Sequence, residues 1–360
     1  MKRTTINGIL NAHIRDHLSP TPKERAMVSR EYEFLCGAVG GVCFQSGSYA
    51  RFTSTTPVND LDVIWQMPPA ALSGEVLRKV MQGYDPGEFD PSEILQRLAA
   101  TIRAAYQQAG RKVTVVVQSH SIGIYFGTKD DFSIDLVPAL AAGRTNEFGD
   151  DIYWVPEIAR FSKTRRLRHY ELGAHIGWML SDPRGYIEDA RQLNEQNESF
   201  RKVAKFGRKW RRGCKKENPE FRLKSFHLEL VDNDLLKRSP HFDTLDAIEA
   251  FFGTLEDYLE APHFPDRADH TRYVDKYIDE LTAEERADIT TRIKAARSAV
   301  AAMIAAETEE DARQAIRKLL AGSAVAVVVA ATVAAPAIAT TYTAPTSFTP
   351  HRNHGSADPR

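Results

Sequence analysis

Hydrophobic positions along this chain change period near residue 155. Before that point, short apolar runs of strand character alternate with two amphipathic stretches. After it, helical periodicity dominates to about residue 321. Residues 22–39 place Met27, Tyr32, Leu35 and Val39 on one broad apolar face. Thr21-Pro22 with Glu24 opens that helix and Gly40-Gly41 closes it. Residues 91–109 set Ile94, Leu95, Leu98, Ile102 and Tyr106 at three- and four-residue spacing, with Gly110 as the stop. The runs 41–44, 63–65, 113–117, 122–126 and 132–137 read as strands; Pro68-Pro69 stops the second, and the turn 127–130 precedes the last. Residues 70–90 mix Gly, Pro and acidic residues and read as a connection. The expected core is a helix packed on a mostly antiparallel or mixed sheet. A crossover over 140–165 then leads to helical segments near 186–216, 219–237, 243–260 and 283–321. The fold class is therefore α+β and bilobal. We expect a sheet-bearing core over 1–155 with an N-terminal helix, a helical lobe over 156–322, and a separate tail over 323–360.

Composition narrows the partners. The chain has 360 residues and a formal net charge of −1, so no global basic field points to duplex DNA. Between residues 202 and 224, however, ten Lys/Arg face only two Glu. Such a run is ordinarily a solvated helix face, and a phosphate-facing patch is its functional reading. Cys36, Cys43 and Cys214 have no metal-ligand spacing and read as reduced thiols, two of them in the core. Residues 1–10 carry no secretory apolar core, so the expected location is cytoplasmic. Residues 319–339 hold no charge and number enough to span a bilayer, but Ala, Gly322, Ser323, Thr332 and Pro336 dilute the run. A buried or loosely packed segment is the preferred reading over a membrane anchor. Residues 340–360 are polar, rich in Pro, and expected to be disordered.

The candidate chemistry lies in GSYARFTSTTPVNDLDVIW, residues 47–65. Asp60 and Asp62 flank Leu61 at the start of an apolar strand. Residues i and i+2 of a strand share a face, so their Cα atoms stand about 6–7 Å apart at a rise of ~3.3 Å per residue. Adjacent carboxylates repel unless a cation lies between them. Hard oxygen ligands of this kind suit Mg²⁺, which takes one or two carboxylates together with substrate phosphates. A third carboxylate, Asp135, lies in the run 132–137; Asp130 and Asp131 are weaker candidates because they fall in the turn before it.

This arrangement resembles the polymerase-beta-like nucleotidyltransferases, with a Gly-Ser turn after a first strand, an Asp-x-Asp, and a third Asp on a neighbouring strand. More narrowly, residues 47–65, FGRKW at 206–210, LKSFHLELV at 223–231 and ARQAIRKLLAG at 312–322 resemble the bacterial cGAS/DncV-like enzymes (CD-NTases, SMODS-type), over about residues 10–322. The resemblance implies a two-metal synthase that joins nucleoside triphosphates into a cyclic di- or oligonucleotide second messenger and releases pyrophosphate. It implies anti-phage (CBASS-type) signalling, a downstream effector that reads the product, and a possible regulatory protein partner. By the same resemblance, Asp60, Asp62 and Asp135 hold two Mg²⁺ ions, with Mn²⁺ as a substitute. Gly47 and Ser48 meet the phosphates, and Lys209 and Ser225 contact the triphosphate. Each residue also has a plainer reading. Lys209 could be a helix-surface lysine whose neighbours Arg208, Arg211 and Arg212 do the same job. Ser225 could be a helix N-cap, and His227 reads as a packing histidine. Tyr49, Arg51 and residues 53–56 border the pocket. Two other functions compete: an RNA 3′-end tailing nucleotidyltransferase, for which the basic run would grip RNA, and a non-enzymatic nucleotide-binding scaffold.

Overall fold

The computed structural model describes residues 1–68, 78, 86, 90–127, 131–158 and 176–324. The expected connection over 70–90 and the tail beyond 324 lie almost wholly outside these residues. Helix α1 (Arg3–His13) runs through a π-helical turn (Ile14–Leu18) into α2 (Pro22–Val39). Helix α2 starts and stops as its sequence indicates. Thr21 and Glu24 form a reciprocal capping box, and Gly40 ends the helix at φ +66°. Strand β1 (Val42–Ser46) leads into the single-turn helix α3 (Gly47–Ala50), and β2 spans Asp60–Gln66. Helix α4 (Ser92–Gln108) precedes β3 (Thr114–Val117), β4 (Ile122–Tyr125), β5 (Ser133–Thr145), β6 (Asp151–Ile158) and β7 (Ile176–Ser181).

These strands form one mixed sheet in the order β1-β2-β5-β4-β3, with β6 and β7 added beyond β5. Among the described residues only the central β2–β5 pair is parallel; the other pairings are antiparallel. One face carries Leu61, Val63, Trp65, Ile134 and Leu136, which pack with Val28 and Leu35 of α2 and Ile94, Leu98, Ile102 and Tyr106 of α4. The opposite face is apolar at one end, where Phe44, Ile64, Val137 and Tyr153 meet, and acidic at the other.

A second core lies in the helices α5 (Pro183–Gln196), α6 (Phe200–Glu217), α7 (Ser225–Arg238), α8 (Thr244–Thr254), α9 (Ala283–Ile304) and α10 (Glu309–Ala321). Trp210, Phe206, Phe251, Phe252 and Ile316 are buried there. Two boundaries differ from expectation. Ile6, Leu10, Ile14 and Leu18 belong to this helical core, so α1 packs away from the sheet that follows it in sequence. The sheet also continues to Ser181, past residue 155, because β6 and β7 extend it. Cys214 is buried in the helical core, Cys43 is half-buried against the sheet core, and Cys36 is half-buried. Among the described residues no helix is long and apolar enough to cross a membrane.

Candidate active site

Strand register builds the acidic end of the sheet. Ser46 of β1 pairs with Asp62 of β2, Asp62 pairs with Asp135 of β5, and Asp135 pairs with Gly123 of β4. Cross-strand partners share a face, and Asp60 lies two residues before Asp62, so all three carboxylates project from one side. Asp135 is buried and Asp62 half-buried. Burial, followed by the charge of Asp60, pushes Asp62 up to about 6. Burial and then the charges of Asp62 and Asp60 raise Asp135 well above the usual carboxylate range. Among the described residues no three His, Cys, Asp or Glu side chains form a ready-made metal cage. Mg²⁺ does not require one, since it keeps waters and takes substrate phosphate oxygens.

Gly47 is required twice over. Its φ is +64°, a region that side chains other than glycine's disfavour, and a Cβ there would lie 1.7 Å from Asp62 Oδ2. Ser48 is buried, and its carbonyl accepts the amides of Thr53 at 2.9 Å and Ser54 at 3.1 Å. Glu24 fixes the run into β2: its carboxylate accepts from the Val58 amide at 2.9 Å and the Thr56 hydroxyl at 2.9 Å. The capping acid of α2 thus also sets where Asp60 begins its strand.

The helical lobe faces this end with cations. Arg51 and Arg208 lower the proton affinity of Asp62, and the charge of Asp60 reaches Arg211 and Arg212. Arg208 Nη1 donates to Ser225 Oγ at 3.2 Å, and Nη2 reaches Glu229 at 3.4 Å. Lys209 is the next residue of the same helix. One residue is about 100° around a helix, and the charges that act on Lys209 are Arg212 and Lys216, while it acts in turn on His13. The structure therefore brings together Asp60, Asp62, Asp135, Gly47, Arg208 and Ser225, while Lys209 has Arg212, Lys216 and His13 as its charged neighbours. Arg208 sits in the same motif, and its i+3/i+4 relation to Arg211 and Arg212 is the signal that marks it. Ser225 is the first residue of α7, with Lys224 at the cap position. His227 is buried between Phe264 and Tyr277, with Nδ1 2.9 Å from Tyr277 Oη, and burial pushes it down to about 3.

Glu229 and Gln118 were not singled out by the sequence. Buried Glu229 accepts from Arg51, from Thr53 Oγ1 at 2.8 Å and from Arg208, joining the 51–53 segment to the helical lobe. Gln118 Nε2 donates to Asp135 Oδ1 at 3.1 Å.

The family model described as SMODS, Second Messenger Oligonucleotide or Dinucleotide Synthetase domain, matches residues 41–194. The cyclic AMP-AMP-AMP synthase of Escherichia coli (strain MS 115-1) is 26% identical over 211 residues, 58% of this chain and 55% of that protein. The match thus spans about half the length of that relative. Among solved structures, E. coli MS115-1 CdnC with ATP superposes with a TM-score of 0.62 at 19% identity, covering 88% of this chain and 98% of the other. The Vibrio cholerae di-nucleotide cyclase DncV superposes with a TM-score of 0.57 at 12% identity, covering 89% and 81%. At such identities the likeness is one of fold.

Proposed function

We propose that this chain, which carries a SMODS domain over residues 41–194 and has the CD-NTase fold, joins nucleoside triphosphates into a cyclic di- or oligonucleotide and releases pyrophosphate. The observation that carries this reading is the carboxylate row. Asp62 and Asp135 occupy paired positions on adjacent parallel strands, with Asp60 on the same face. Burial, and then the neighbouring carboxylate charges, raise the proton affinity of Asp62 and Asp135, and a positive partner would relieve that cost. These hard oxygen donors fit Mg²⁺, with Mn²⁺ as a substitute. Two such ions, when bound, would neutralise the triphosphate and stabilise the attacking and leaving oxygens of an in-line displacement.

The chain's own residues supply position and charge, which is most of what phosphoryl transfer asks of a protein. Gly47 leaves room for Asp62 and lets main chain approach the phosphates. Arg208 and Ser225, already in contact, would grip the triphosphate. Asp135 would face the attacking ribose hydroxyl and receive its proton. A second-messenger product would act on a downstream effector, and we assign the chain to anti-phage signalling on that basis. The RNA-tailing alternative loses support because cations of the basic run are engaged internally. Arg211 donates to the Leu223 carbonyl, Arg212 to that of Pro57 at 2.9 Å, and Lys205 to Ser19 Oγ at 3.2 Å.

The test is incubation with all four labelled ribonucleoside triphosphates and Mg²⁺ or Mn²⁺, followed by phosphatase treatment and chromatography. A resistant product from the wild type and none from Asp62→Asn is the expected result. No resistant product from any mixture, or equal product from Asp62→Asn, would overturn the proposal.

A further inference from the structure

The turn between β3 and β4 holds a buried amide against the carboxylate row. Gln118 follows the last residue of β3 and is 1% exposed. Its main-chain N–H donates to the Ser121 carbonyl at 2.8 Å, and Ser121 Oγ donates to the side-chain Gln118 Oε1 at 3.2 Å. That second bond fixes which end of the side-chain amide is which. Nε2 is left to donate to Tyr125 Oη at 2.8 Å and to Asp135 Oδ1 at 3.1 Å. Both polar atoms of a buried side chain are thus satisfied, as burial of an amide requires.

Two further features hold this arrangement in place. Gly123 is the cross-strand partner of Asp135, and the glutamine side chain occupies the space above it. A Cβ on Gly123 would come within 2.2 Å of Gln118 Nε2 and 2.7 Å of Tyr125 Oη. The turn itself is tied to β6: the Ser119 carbonyl accepts from the Ile158 amide at 2.9 Å, and His120 Nδ1 lies 2.7 Å from the Pro156 carbonyl. The amide cannot shift without disturbing β4 or β6.

From this geometry we infer that Gln118 is a positioning residue for Asp135, fixing the rotation of its carboxylate for the joining step without contributing to nucleotide binding. The inference rests on the function proposed above, in which Asp135 faces the attacking hydroxyl. Misplacing a reacting group by about an ångström costs on the order of 10²-fold in rate.

Three variants separate positioning from general support of the fold. Gln118→Leu removes the amide at similar volume. Gln118→Glu keeps the shape but sets a second carboxylate against Asp135. Gly123→Ala retains Gln118, Tyr125 and Asp135 and displaces the amide. Gln118→Leu and Gly123→Ala are each expected to lower kcat about 10²-fold, and Gln118→Glu to lower it further. KM, and the equilibrium Kd of a non-hydrolysable triphosphate analogue, should stay within about twofold of wild type. The double variant Gln118→Leu/Gly123→Ala should be no worse than the poorer single one, because both remove the same contact. A wild type that forms product beside a Gln118→Leu variant within about threefold of its kcat overturns the inference alone. Analogue affinity that falls in step with kcat, or losses that multiply in the double variant, overturn it as well. A wild type that forms no product overturns the proposed function and this inference with it.

Discussion

Glu229 offers the sharpest test of how the two lobes are held in register. Its carboxylate, 4% exposed, accepts from Arg51 Nε and Nη2, from Thr53 Oγ1 and from Arg208 Nη2. Arg51 and Arg208 are each 7% exposed, so neither can turn to water if the acid is removed. Burial raises the proton affinity of Glu229, but the charge and hydrogen bond of Arg51 and the charge of Arg208 outweigh it. The net shift is downward. A depressed carboxyl contributes stability that is present above its unfolded pKa and lost as pH falls through the folded one. At pH 7.5 the contribution is complete. Removing one partner of a buried, hydrogen-bonded ion network costs about 3–5 kcal/mol, because the remaining charges stay buried and uncompensated. At roughly 2–4 °C per kcal/mol for a domain of this size class, Glu229→Gln should lower Tm by about 6–20 °C. Scanning calorimetry at pH 7.5 and at successively lower pH would show the difference shrinking as the pH falls through the depressed folded pKa of Glu229. Glu188→Gln is the control, since its partner Arg191 lies on the surface and such pairs contribute about 0–1 kcal/mol. Combining Arg208→Met with Glu229→Gln should recover part of the loss by removing one stranded cation. A Tm change under about 2 °C for Glu229→Gln, or one that matches the Glu188→Gln control, would refute the network argument.

Other expectations follow from the same geometry. Asp62→Asn should cut product formation by at least about 10²–10³-fold. Its folded proton affinity is raised, so Asp62 contributes stability below its unfolded pKa that is lost as pH rises through about 6. The asparagine variant should therefore melt higher than wild type at pH 8 and about equally at pH 4. Mg²⁺ should raise the wild-type Tm more at pH 8 than at pH 5, and the increment should vanish in Asp62→Asn; an unchanged increment would remove these acids from the ion site. Gly47→Ala should lose activity at least about 10²-fold because its Cβ would fall 1.7 Å from Asp62 Oδ2. Arg208→Ala should raise KM for triphosphate about tenfold or more, as loss of a charged contact of about 1.5–3 kcal/mol implies, while Lys209→Ala leaves it within about twofold. The reverse ranking would return the triphosphate contact to Lys209.

The elements that the sequence revealed share a local cause. Thr21, Glu24 and Gly40 define α2 through a capping box and a left-handed stop, so both ends could be read from neighbouring residues. Helix α4, with its apolar stripe and Gly110, came within one residue at each end of its sequence pattern. The Asp60/Asp62 pair was legible because a period of two is local. Strands β6 and β7 fall over and beyond the stretch that reads as a crossover, and Pro156 and Glu157 interrupt the local period of β6. Helix α1 falls in the range expected for the sheet lobe but packs in the helical core, because sequence proximity says nothing of which core an amphipathic face will join.

The same distinction explains the site. Arg208 and Lys209 differ by one position, and a helical pattern narrows a charge to a face only when its partners are known. Here the partners are Ser225 and Glu229, 17 and 21 residues away on another helix. Gln118 had no legible signal at all. Its role exists only because β4 and β5 pair with Gly123 opposite Asp135, leaving a gap in one row of side chains. A shift of one residue in that register would turn Asp135 to the apolar face and the glutamine would have nothing to orient. The three carboxylates can be found by looking for acids, but their usable geometry is a property of strand register, and a neutral amide in a turn helps to maintain it.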